Sequence, residues 1–243
     1  MLELVLLGIS VGVLSGFFGI GGGTILIPSL LLIGYSTKIA IGISVIQMLF
    51  SSIYGSYLNH KKGTLDINLV FFIGIGGFIG ASFSGFISSF MNAIHLEIIF
   101  FLFALFALLR LFLKTKEHHQ EKIISKILLI SIGFPIGILS MTIGVGGSII
   151  LVPILVGFLY IPLKKAISAG LFFVIFSSVS GFLSHSQSGT LDYESGIIIG
   201  LASLFGVYIG IHLKDRVDSD LQKRLLIGLY LVIVIYLFQR IFL

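Results

Sequence analysis

Cysteine and tryptophan are both absent from these 243 residues, and charged side chains make up only 10% of them. Without cysteine there is no disulfide and no thiolate chemistry, and redox usage fixes no compartment. Without tryptophan, anchoring at the water–lipid boundary falls to Tyr, Lys and Arg. A soluble domain carries about 25% charged residues. The shortage here, beside 57% hydrophobic residues and a mean hydropathy of +1.17, excludes an ordinary soluble protein and indicates a polytopic membrane protein. The chain has no room for a separate soluble domain. The net charge of +5 does not describe a nucleic-acid surface, because the fifteen Lys and Arg read as lying in short loops, where they act as topology signals. No cleavage pattern of a secretory signal is evident, so the first apolar segment is expected to belong to the mature protein.

Two stretches lack charge altogether, residues 4–37 and 127–163. Each is followed by three apolar segments, at roughly 38–58, 67–87 and 96–113, and at roughly 164–184, 193–212 and 222–240. A polar linker, Lys114-Thr-Lys-Glu-His-His-Gln-Glu-Lys122, separates the sets. The halves are an internal repeat. Residues 19–28 read Gly-Ile-Gly-Gly-Gly-Thr-Ile-Leu-Ile-Pro and residues 144–153 read Gly-Val-Gly-Gly-Ser-Ile-Ile-Leu-Val-Pro. At an offset of 125, Leu14, Ser15, Gly19, Gly21, Gly22, Ile25, Leu26 and Pro28 meet identical residues. After one inserted residue, an offset of 126 pairs Lys38 with Lys164, Ser51-Ser52 with Ser177-Ser178, Gly55 with Gly181, and Gly63-Thr-Leu-Asp66 with Gly189-Thr-Leu-Asp192. Polar turns and glycine clusters do not recur this way by chance in apolar helices, so the chain reads as a duplication: 1–113 a first membrane repeat, 114–123 a polar cytoplasmic linker, 124–243 a second repeat.

The run 127–163 would be about 55 Å long as one helix, against a hydrocarbon core of about 30 Å. It must break. Glycine and proline are poor in a helix interior, by about 1 and 3 kcal/mol against alanine, which places the break at the repeated cluster. If each glycine segment folds back as a hairpin, the repeats are opposite in orientation; if each crosses once, they point the same way. Charge favours the hairpins. With the linker inside, Lys61, Lys62, Arg110, Lys114, Lys116, Lys122, Lys126, Lys164, Lys165, Lys214, Arg216, Lys223 and Arg224 fall on the inner face, leaving Lys38 and Arg240 outside. Single crossings would move Lys164, Lys165, Lys214, Arg216, Lys223 and Arg224 outside and erase the bias. The expected fold is therefore an all-α polytopic membrane protein of two inverted-topology repeats, each a glycine-broken helical hairpin plus three transmembrane helices, with both termini outside. Re-entrant hairpins and pairs of short full crossings share this parity and are not separated by sequence.

Inverted repeats with interrupted helices point to a secondary transporter with its site at the midplane. The first N–H groups of a half-helix lack internal partners and carry about half a positive charge. Two such ends brought together would make an anion site without Lys or Arg, and glycine lets the backbone approach a ligand closely. Thr24 and Ser148 stand at or beside the expected half-helix starts, where a hydroxyl suits an N-cap. Gln47 lies mid-span with Ser44 and Ser51 about a turn away, and could hydrogen-bond an oxyanion; the second repeat has Phe173 at that position, so the half-sites would be unequal. The candidate substrate-binding residues are Gly19, Gly21, Gly22, Gly23, Thr24, Gln47, Gly144, Gly146, Gly147 and Ser148.

Structural readings stand beside these. Glycine clusters also serve helix packing, Gln47 could bridge helices, and Ser168, Ser177, Ser178 and Ser180 could bond their own backbones. Pro28 and Pro153 read as kinks or first-turn prolines. The Gly-Thr-Leu-Asp turns read as caps at helix starts. No histidine spacing suits a metal, His118-His119 reads as solvated linker, and no carboxylate sits near a span centre to relay protons.

The repeated Gly-x-Gly-Gly-Gly/Ser-x-Ile-Leu-Ile/Val-Pro motif, the Gly-Thr-Leu-Asp turns and the basic linker together resemble the TauE/SafE sulfite exporter family of membrane transporters, over essentially the whole chain. The resemblance carries over only at Gly19, Gly21, Gly22, Gly23 and Pro28, and at Gly144, Gly146, Gly147, Ser148 and Pro153. The second copy departs with Ser148 for Gly23 and Ile149 for Thr24. It implies a multi-pass permease of the cell membrane for small anions such as sulfite, sulfoacetate or related sulfonates. The partners expected are a small anionic substrate and membrane lipid, without nucleic acid and without a cofactor or metal; a homo-oligomer stays open. The competing readings are an intramembrane enzyme, for which no Ser/His or paired-carboxylate constellation lies at similar depth, and a non-transporting subunit, which would gain nothing from helices broken at the midplane.

Overall fold

The computed structural model describes residues 1–112, 125–187, 189 and 191–243. The polar linker, with its lysines and His118-His119, lies outside the described residues, as do Ser188 and Thr190. Among the described residues all regular structure is helical: α1 (Leu2–Phe18), α2 (Gly23–Ile33), α3 (Thr37–Lys61), α4 (Ile67–Ala81), α5 (Ser84–Phe90), α6 (Ala93–Phe112), α7 (Lys126–Thr142), α8 (Ser148–Gly157), α9 (Leu163–Gln187), α10 (Tyr193–Arg216) and α11 (Ser219–Phe242). Apolar segments in lipid must satisfy their backbone internally, which selects helix. Six stretches, including Val70–Phe90 across α4 and α5, are long and apolar enough to cross a membrane.

Both uncharged runs break at the glycines. In the first, Gly19, Gly21 and Gly22 have φ of 67°, 74° and 85°; in the second, Gly144, Gly146 and Gly147 have 71°, 78° and 86°. These left-handed values are cheap only for glycine. The resulting half-helices α2 and α8 are short, about 16 and 15 Å at 1.5 Å per residue.

The neighbours of successive residues give the helix directions. Gly8, Gly12 and Gly16 of α1 meet Ile199, Ser203 and Val207 of α10, while Gly196, Gly200 and Val207 of α10 meet Ile46, Phe50 and Gly55 of α3. So α1, α3 and α10 run the same way. In the other half, Gly133 and Gly137 of α7 meet Ile73 and Gly77 of α4. Ser180 and Ser184 of α9 donate to the carbonyls of Phe78 and Ser82, just before and after the end of α4. So α4, α7 and α9 also run together. Between the halves the sense reverses: Gly55 of α3 abuts Leu171 of α9, while Met48 and Val174 both flank Gly21. Each first helix packs on the penultimate long segment of the other half, α1 on α10 and α7 on α4.

These two seams are lined by glycine. A Cβ on Gly12 would lie 2.8 Å from Ser203 Cα, and one on Gly137 would lie 2.7 Å from Gly77 Cα. Helices in lipid gain no hydrophobic drive from meeting, so close backbone contact at small residues supplies the attraction.

The apolar segment expected at 67–87 is two helices, because the chain turns at Ser82 and Phe83. Ser82 and Ser84 Oγ donate to the carbonyls of Ile79 and Ala81, both at 2.7 Å, the local competition by which serine loosens a helix. Pro28 and Pro153 lie inside α2 and α8, in the second turn rather than the first. Lys214, expected in a loop, is fully buried within the last turn of α10. The turn reading of the Gly-Thr-Leu-Asp copies holds where they are described: Gly63 and Gly189 have φ of 68° and 67°, and Asp192 caps α10 by accepting from the Ser195 N–H at 3.1 Å.

Candidate functional site

The two glycine turns meet each other. A Cβ on Gly23 would collide with the Gly144 carbonyl and lie 3.1 Å from Val145 Cα. Gly21 and Gly146 share a pair of neighbours, Met48 and Val174, which align with each other between the halves. Matching serines hold the turns: Ser51 Oγ donates to Gly21 O at 3.4 Å and Ser177 Oγ to Gly146 O at 3.0 Å. Ser44 Oγ crosses between halves to Gly144 O at 2.7 Å. The Ser44 and Ser51 hydroxyls, candidates for an oxyanion, are thus engaged with the backbone.

Each half-helix begins earlier than a hydroxyl cap would place it, by two residues at Thr24 and by one at Ser148. Gly22 and Gly147 are the N-caps, and neither helix has a side-chain cap bond. Thr24 and Ser148 are therefore not caps. The Gly22 carbonyl accepts from Ile25 and Leu26 N–H, and the Gly147 carbonyl from Ile150 and Leu151 N–H. The first two N–H groups of each half-helix have no acceptor within their helix. Thr24 Oγ1 and Ser148 Oγ are buried without partners.

Gln47 makes the halves unequal. Its side chain is fully buried, neither amide atom has a partner, and a Cβ on Gly22 would lie 2.8 Å from its Nε2. At the matching place, a Cβ on Gly147 would lie 2.5 Å from Phe173 Cε1 and 2.8 Å from Ser140 Oγ. The first half-site holds an unpaired amide where the second is filled by a ring. Ser15, the match of Ser140, also has a buried hydroxyl without a partner. A buried polar group left unpaired costs about 1–3 kcal/mol, so this arrangement favours anything that brings hydrogen-bonding atoms to it. Positive helix ends and amide hydrogens suit an anion.

A profile of the Sulfite exporter TauE/SafE family matches residues 4–237. The chain belongs to that family. Among similar proteins, the probable membrane transporter YunE of Bacillus subtilis is 25% identical, over 96% of this chain and 93% of its own length. A probable membrane transporter of Methanocaldococcus jannaschii is 28% identical over 88% and 86%, and YdhB of Bacillus subtilis is 26% identical over 90% and 93%. No solved structure matches. The chain is accordingly a multi-pass protein of a membrane-transporter family.

In this TauE/SafE chain the structure brings Gly21, Gly22, Gly23, Gln47, Gly144, Gly146 and Gly147 into one neighbourhood. Gly19 stands slightly apart, closing α1 with its N–H on Ser15 O at 2.7 Å and abutting the carbonyl of Ile167. Ser148 lies against Gly170. Among the described residues no cluster of His, Asp or Glu could hold a metal ion. The named residues around the turns are buried, so a solute reaches them only if helices move. Two further polar groups escaped the sequence reading. Glu97, buried, accepts from Thr37 Oγ1 at 2.6 Å and pairs with Arg240 at 3.1 Å. Lys214 donates to Asn59 Oδ1 at 2.6 Å and Ser168 Oγ at 3.1 Å. Neither has a local sequence signal, since each joins residues far apart in the chain.

Proposed function

We propose that this protein is a permease for a small anion, sulfite or a sulfonate or related organic acid, working by alternating access around its paired glycine turns. The observation that carries the reading is the Gln47 carboxamide, buried without partners against Gly22 at the start of a half-helix. The N–H groups of Gly23 and Thr24, the Thr24 hydroxyl and the Gln47 amide would take the anion's oxygens, with the α8 end and Ser148 approaching from the other half. The family supports the substrate class, because its name is that of a sulfite exporter.

The two halves act as inverted repeats in this reading, one rocking against the other about the turns. Its support is the opposite sense of α3 and α9 and the exchange of α1 and α7 between halves. Lys62, Lys164 and Lys214 gather at one end of the bundle around Asp215 and Asn59. Lys38 and Arg240 lie at the other, on Ser89 O and Glu97. The lysine-rich end is the cytoplasmic one by the charge rule.

The test is sulfite and sulfonate flux in proteoliposomes of purified protein. A Cβ on Gly22 or Gly147 collides with the site lining and meets a left-handed backbone. Gly22→Val and Gly147→Val should therefore abolish flux while the protein still inserts and purifies. Full flux in both variants would sink the reading.

A further inference from the structure

Lys214 is fully buried, yet among the described residues no carboxylate lies within ion-pair distance of it. The adjacent Asp215 turns away to Lys62, at 2.5 Å, and its backbone carbonyl takes Lys164 Nζ at 3.4 Å. The acceptors of Lys214 are neutral: Asn59 Oδ1 at 2.6 Å and Ser168 Oγ at 3.1 Å. Thr64 Oγ1 stands 3.0 Å from Ser168 Oγ. Asn59 is fully buried too, and its Nδ2 has no partner. The cluster therefore holds one positive charge, an ammonium hydrogen beyond its two acceptors, and an amide group with nothing to donate to. A buried charge is costly unless it is paired and hydrogen-bonded, and an anion with several oxygens would supply both the counter-charge and the acceptors.

Position fits such a ligand. Ser168 follows Ile167, whose carbonyl abuts Gly19 of the first glycine turn. Leu58, Leu171, Val207 and Ile211 form an apolar layer alongside. Lys62 and Lys164 add positive charge beyond Lys214. The duplicated half has no equivalent: at the offset of 126, Lys214 corresponds to Ser88, Asn59 to His185 and Ser168 to Gly42. The lysine is thus not demanded by the repeated fold, and it equips one end only.

We propose that Lys214, Asn59, Ser168 and Thr64 form a second oxyanion site at the cytoplasmic mouth, where a small sulfur oxyanion docks on its way to or from the glycine turns; its place in a pathway rests on the transport reading above. The ammonium and the Asn59 amide take two of the oxygens, while the hydroxyls of Thr64 and Ser168, which donate to the carbonyls of Asn59 at 3.2 Å and Lys164 at 3.1 Å, hold the cluster in place.

The experiment is thermal unfolding of the purified full-length protein with sulfite, methanesulfonate or phosphate at constant ionic strength, against chloride. Wild type should gain several degrees with at least one of these anions, and comparison among them separates a sulfur oxyanion from phosphate. Lys214→Gln should lose the gain and Lys214→Arg should keep part of it. Asn59→Asp supplies an internal counter-ion, so it should unfold at or above the wild-type temperature without anion and gain nothing from it. In oriented proteoliposomes, Lys214→Gln should raise the half-saturating sulfite concentration about tenfold from the cytoplasmic face and leave it unchanged from the other.

A gain absent from wild type, or retained in both Lys214→Gln and Asn59→Asp, overturns the site. So does a gain that Gln47→Leu removes and Asn59→Asp keeps, which puts the anion at the turns. A Lys214-dependent gain in a protein without flux leaves the site standing and refutes transport instead.

Discussion

Gln47 is a group that the folded protein would be better without if packing were its only task. Each of its amide atoms is buried and unpaired, and leaving such groups unmade costs about 1–3 kcal/mol. Gln47→Leu keeps much of the volume and removes the unpaired atoms. Its unfolding temperature should therefore equal or exceed that of wild type, measured in detergent without substrate. If the amide binds an anion, the same change should raise the half-saturating concentration for flux about 10- to 100-fold, the worth of a hydrogen bond to a charged group at about 1.5–3 kcal/mol. Greater stability with weaker transport would mark a ligand group; lower stability with unchanged transport would mark an interhelical strut. Gln47 stands out in sequence as a lone amide in an apolar span, where a pathway group and an interhelical bridge are both open readings; that its amide atoms have no partner is written only in the fold. Thr24 and Ser148 suit N-caps by residue type, but Gly22 and Gly147 hold those positions. The left-handed φ of Gly22 and Gly147 lets each helix start at the glycine, and that conformational detail is not written in the order of residues.

At the level of helices, the duplication explains why so much of the fold could be read. A glycine cluster that recurs at a fixed offset inside an overlong apolar run names its own breaks, and both breaks lie where the motif puts them. What could not be read is which helix each half lends to the other. The seams of α1 with α10 and of α4 with α7 depend on spaced glycines that also look like ordinary low-complexity sequence. Gly12, Gly16, Gly206 and Gly210 work along one seam, and Gly76, Gly80, Gly133 and Gly137 along the other. Because the backbone of the partner helix stands where a side chain would go, Gly12→Leu or Gly137→Leu should destabilise the protein by about 1–3 kcal/mol, the usual cost of overpacking. A fall in unfolding temperature in detergent would register it. Gly228 of α11 is the internal control: a Cβ there meets nothing within 4 Å, so Gly228→Ala should be neutral or slightly stabilising, glycine being weaker than alanine in a helix interior.

For the molecule as a whole, the relative orientation of the halves decides which residues share a face of the membrane. If both glycine segments fold back, Lys61 and Arg216 lie on the same side. If both cross once, they lie on opposite sides, about 30 Å of hydrocarbon apart. The ion pair between Lys62 and Asp215, at 2.5 Å, and the Lys214–Asn59 hydrogen bond support the first arrangement, which the proposed transport cycle requires. The absence of cysteine makes the orientation directly measurable, since any introduced thiol is the sole target. Ser36, Lys61 and Arg216 are all exposed. In intact cells, an impermeant maleimide added outside should label Ser36→Cys and spare Lys61→Cys and Arg216→Cys until the membrane is opened. Labelling Arg216→Cys from outside while Lys61→Cys stays protected would make the repeats parallel. It would also leave the two glycine turns with no twofold relation through which to alternate.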